Sequence, residues 1–177
     1  MINQIFDNFE RTEFSDDIYS IFGRALTVAT RFDASTKALA RRSLLPVAMA
    51  ERQIANGEDQ DKIFEYIINK YKNLNRAIDS LNFKGDVQDI LTNAREARNE
   101  LIHEGTLGAY NGFDFFDEQD LTSYLKYIES LVLKIIKGDA LVSTIMSIKN
   151  KEPISGYPFS SEYESKYLNW VMQRFET

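Results

Sequence analysis

The chain has 177 residues, enough for one domain with a real core, and no cysteine, which excludes disulfides, thiolate metal sites and cysteine nucleophiles. Its net charge of −6 argues against a non-specific nucleic-acid coat, while leaving room for an RNA enzyme with one local basic patch. No run of about 18 uncharged apolar residues occurs and "MINQIFDNFERTEF" has no basic leader region, so a soluble, cytoplasmic protein without a membrane partner is expected.

The apolar periodicity is helical almost everywhere, and no stretch alternates at period two. Ile2, Ile5, Phe6 and Phe9 predict a short amphipathic helix. Ser15, followed by Asp16 and Asp17, marks the start of a second helix, and Ile18, Phe22, Ala25, Ala29, Phe32 and Leu39 line one face of it. Pro46 is expected to kink or restart this element, because it lacks an N–H and clashes with the preceding turn. A shorter helix should then run to Ala55, stopped by Asn56 and Gly57. Ile63, Ile67, Tyr71, Leu74, Ile78 and Leu81 step by three and four, which predicts one regular bundle helix.

Asp86 can cap a helix carrying Val87, Ile90, Leu91, Ala94, Leu101 and Ile102 and ending before Gly105. Asp117 can cap another, with Leu121, Leu125, Ile128, Val132, Ile135 and Ile136 inward, which Gly138 is expected to interrupt. Ser161 and Glu164 have capping-box spacing ahead of Tyr167, Leu168 and Val171. "GTLGAYNGFDFF" and "KEPISGYPFSS" are the expected ordered loops. The fold class is therefore all-α: a single helical domain over residues 1–177.

His103, the only histidine, closes "AREARNELIH" at the end of the helix that Asp86 can cap. At about 100° per residue, Arg98 falls near the middle of the apolar stripe of its helix, where a guanidinium must snorkel out, find an acid or meet an anion. Asn99 and His103, four residues apart, share another face, and Arg98 points about 140° away from His103. On the residues alone, His103 is a capping residue at a helix end that suits cations, and Arg98 an ion-pair partner for Glu10, Glu13 or another acid.

The segment "RNELIH" resembles the signature of HEPN domains (higher eukaryotes and prokaryotes nucleotide-binding): an arginine, a polar residue that is often asparagine, and a histidine four to six residues on. Arg98, Asn99 and His103 occupy those places. The resemblance implies a bundle of four or more core helices over about 15–137, with 139–177 as a C-terminal helical extension. It also implies metal-independent endoribonuclease activity without a cofactor, at a composite site shared by two protomers of a homodimer, in a toxin or antiviral defence effector. An antitoxin or other defence-system protein is the partner such a role implies. In that chemistry an RNA 2′-hydroxyl attacks its adjacent phosphate. Histidine, with an ordinary pKa of about 6.5, serves as base or acid, and arginine holds the phosphate bidentately. Asn99 would orient the imidazole or donate to the phosphate. Gly105 stands where a subset of the family carries a modifiable tyrosine, so that mode of regulation is not expected.

Arg31, Lys37, Arg41 and Arg42 form the densest basic segment and are candidates to guide RNA; the alternative is a solvated helix face. Tyr110, in the aromatic "AYNGFDFF", is a candidate for base stacking, against the alternative of aromatics folded over the core. Glu96, Glu100 and Glu104 repeat every four residues as a solvated stripe does, so no metal site is expected there. The competing reading of the whole chain is a non-catalytic helical interaction module, antitoxin-like or a nucleotide-binding accessory subunit.

Overall fold

Apolar residues spaced by three and four from Ile18 to Met49 sustain one long helix, α1 (Glu13–Asn56). The structure, a computed structural model, describes residues 13–57, 59–103, 118–154 and 156–173. Pro46 lies inside α1, not at its start or end. The proline is exposed, while Leu44, Leu45, Ala48 and Met49 around it pack onto a second small core. Packing on both sides of Pro46 thus carries the helix across its missing hydrogen bond. Past the end, Gly57 takes φ +61°, and its N–H bonds to Gln53 O at 3.2 Å, as the Asn-Gly stop predicts.

The expected single helix over 63–81 is two. α2 (Gln60–Lys70) is capped by Asp59, and α3 (Leu74–Leu81) by Asn73, whose side chain accepts from Asn75 N at 2.8 Å. The apolar stripe nevertheless stays buried on both sides of the break: Ile63, Ile67 and Tyr71 pack with Ala40 of α1, and Leu74 and Ile78 join the main core.

α4 (Asp86–His103) begins at Asp86, which lies in its first turn and not before it. α5 (Glu118–Asn150) runs through Gly138 without interruption. A Cβ at Gly138 would collide with Ala94 Cβ and come within 2.9 Å of Phe32 Cε2, so glycine is what lets α5 approach α4 and α1 closely. A 3₁₀ turn (Tyr157–Phe159) leads into α6 (Ser161–Val171), whose cap is Ser160, accepting from Tyr163 N at 3.1 Å. The cap falls one residue before the expected Ser161.

α4 and α1 lie against α5, α3 lies against α1, and α6 packs on α5 and α1. Phe32, Leu91, Leu101, Val132 and Ile135 share one core with Val142, Val171 and Met172, so residues beyond 139 close the same core as those before it. Among the described residues every regular element is helical, and the protein is an all-α bundle. No described helix is long and apolar enough to cross a membrane. The expected helix over Ile2–Phe9, the Asp117 cap and the loop holding Gly105 and Tyr110 lie outside the described residues.

Candidate functional site

On α4 the inward positions are Leu91, Ala94, Ala97 and Leu101. Ala97, not Arg98, completes the stripe; one residue further round, the Arg98 side chain sits half-buried at the rim of the core. There it meets the acid that its position demands. Arg98 Nη2 is 3.8 Å from Asp33 Oδ2 on α1, the same oxygen that Lys37 Nζ approaches at 2.7 Å. Arg98 Nη1 also donates to Asn99 Oδ1 at 3.1 Å. The Asp33 pair with Lys37 is an i,i+4 contact, partly buried at both ends.

These residues edge a polar pocket of about 330 Å³ whose lining includes the cations Lys37, Lys72, Arg95 and Arg98 against one carboxylate, Asp33. Arg95 stands one turn before Arg98 on the same face of α4. It is tied to Asn75 by a side-chain hydrogen bond and to Glu96 Oε1 at 2.9 Å. The N-terminal turn of α3, from Asn73 to Asn75, forms the opposite wall. Its dipole adds positive potential where the lysines and arginines already dominate. The Nε atoms of Arg95 and Arg98 and Oδ1 of Asp33 are buried without a hydrogen-bond partner. In a chain carrying net negative charge, this concentration of cations and side-chain amides has the chemistry to hold an oxyanion.

Asn99 lines this pocket; His103 does not, but stands one turn further along α4, exposed at its last residue. Glu100 between them accepts a hydrogen bond from Tyr127 Oη of α5 at 2.7 Å, which fixes the end of α4 against the bundle. Of the basic segment, only Lys37 reaches the pocket. Arg31 is held by Asp139 at 3.2 Å, and Arg41 donates to the carbonyls of Ile68 and Tyr71 at the end of α2, at 3.4 and 3.5 Å. Arg42 is exposed on α1, outside the pocket lining. Among the described residues, no three histidine or carboxylate side chains gather as a metal cluster would.

Asp33, Lys72, Asn73, Asn75 and Arg95 are not marked by the sequence pattern as site residues. The Asn73 cap and the spacing of Arg95 to Arg98 are the signals that point to them. Comparison with family models, with curated proteins and with solved structures found no match.

Proposed function

We propose that this protein is a metal-independent endoribonuclease of the HEPN type that acts in a toxin–antitoxin or antiviral setting. The observation that carries the reading is the pocket at Arg98 and Asn99, with four cations against one carboxylate and His103 one helical turn beyond. An RNA phosphate suits this pocket because guanidinium groups bind two of its oxygens at once and offset the charge that grows on them during in-line attack. His103 is the proton-transfer group, taking the 2′-hydroxyl proton or giving one to the leaving 5′-oxygen. One chain has one histidine, and a two-fold pairing of α4 ends supplies the second.

The Arg98–Asp33 contact favours a second reading, in which Arg98 is structural and the protein is a non-catalytic interaction module. The purified protein, given a mixed RNA pool in excess chelator, should cleave it and leave 2′,3′-cyclic phosphate ends. His103→Ala should abolish cleavage without loss of folding. Activity that vanishes with chelator and returns with a divalent ion refutes the mechanism, and RNA left intact supports the second reading.

A further inference from the structure

Across α1 from the Arg98 pocket, a cavity of about 620 Å³ opens between α1 and α6, lined by Thr27, Arg31, Tyr163, Lys166, Tyr167 and Trp170. Arg31 and Asp33 flank the buried Phe32 on either side, so the two cavities lie on different faces of α1. Tyr163, Tyr167 and Trp170 recur at i, i+4 and i+7 along α6. Their rings form a ladder, Tyr163 edge-on to Tyr167 at 5.8 Å and Tyr167 tilted against Trp170 at 6.0 Å. Tyr163 and Tyr167 also pack on the main core, which accounts for them as structure; Trp170, with 41% of its surface exposed, is not part of that cluster.

The charge arrangement requires more than packing. The side chain of Asp139 is fully buried, neither of its oxygens accepts a hydrogen bond, and its ion-pair partner is Arg31 Nε at 3.2 Å. A buried carboxylate is costly, and this one holds a guanidinium whose own side chain is 53% exposed at the cavity. Arg31 uses Nε on Asp139, and a guanidinium has five N–H donors in all. The lining adds Lys166 and includes no carboxylate.

We infer that this cavity is a second ligand site, taking a small planar aromatic molecule that carries one oxyanion: the ring stacks on the Tyr167–Trp170 ladder and the oxyanion meets Arg31 and Lys166. The volume falls in the range of small-molecule sites, and an aromatic wall with few convergent polar groups is their usual lining. Asp139 is the positioning residue for Arg31. The site is independent of the ribonuclease reading and survives its failure.

Trp170 is the chain's only tryptophan, so its emission reports this cavity directly. The full-length protein is titrated with adenosine monophosphate and with 4-hydroxyphenylacetate, which carry a ring and an oxyanion from two chemical sources. Adenosine and inorganic phosphate supply each half alone, and calorimetry runs in parallel. We expect a saturable change with at least one of the first pair, at least about tenfold tighter than with its halves. Lys166→Gln and the paired variant Arg31→Gln with Asp139→Asn, which leaves no uncompensated buried charge, should each weaken it about tenfold. Arg98→Ala should leave this response unchanged. Adenosine binding as tightly as its monophosphate, or no response to either aromatic anion, overturns the inference.

Discussion

Two cations converge on one oxygen of Asp33, and the longer contact belongs to Arg98. A purely structural Arg98 and a phosphate-binding Arg98 differ in what a lysine can replace. Lysine keeps a point charge near Asp33 but lacks the planar fork that binds two oxygens at once. Arg98→Lys should therefore fold with nearly unchanged stability and lose RNA cleavage at least about tenfold, as the loss of a bidentate charged contact implies. Full cleavage by the lysine variant would reduce Arg98 to a counter-ion. Asp139 poses the opposite case, a carboxyl pushed above its ordinary range by burial, with Arg31 pulling the other way. A raised value means that the native state keeps its proton at a pH where the unfolded chain has lost it. The stability tied to that proton is complete below the ordinary carboxyl range and is lost as pH rises through the raised value. Asp139→Asn has nothing to titrate, so its stability relative to the natural protein should climb from acid towards neutral pH. Denaturant midpoints measured across that range check the sign, and a flat difference would contradict it.

At the level of elements, Gly138 sets two rules against each other. Helix propensity alone predicts that Gly138→Ala stabilises α5 by about 1 kcal/mol. The space at Gly138 predicts the reverse, because the added Cβ collides with Ala94 and presses on Phe32. Both neighbours are fully buried and have nowhere to retreat, so packing should win by about 1–3 kcal/mol of lost stability in chemical denaturation. Ala94→Gly in the same chain should recover part of that loss. The sequence marks Gly138 as special but assigns it to a helix break, since a glycine inside an apolar pattern looks the same whether it ends a helix or admits a neighbour. The 63–81 segment misleads for a related reason. Apolar spacing reports which residues are buried, and those from Ile63 to Ile78 stay buried on both sides of a break. Continuity is decided by backbone hydrogen bonds, and Asn73 is the local mark of the cap. That break matters, because it turns the start of α3 into a wall of the cationic pocket. The motif on α4 is legible in the sequence because it lies within one helix. The rest of the pocket is not, because Asp33, Lys72 and Asn75 come from α1, from the segment before α3 and from α3 itself.

For the molecule as a whole, the proposed chemistry sets a number on how subunits cooperate. In-line cleavage uses a base and an acid, and each chain owns one histidine, at the exposed end of α4. If one cleft takes His103 from each of two copies, a dimer with a single His103→Ala subunit lacks one of the two groups and is as crippled as the double variant. Natural and His103→Ala chains, mixed in equal amounts and allowed to exchange subunits, form intact dimers in about a quarter of cases. Cleavage per total protein should then fall to about a quarter, and with increasing variant it should follow the square of the natural fraction. Sites complete within one chain give about half and a straight line instead. Sedimentation at the assay concentration separates the remaining case: a monomer that cleaves at full rate would place both proton transfers within one chain and remove the reason for the pair.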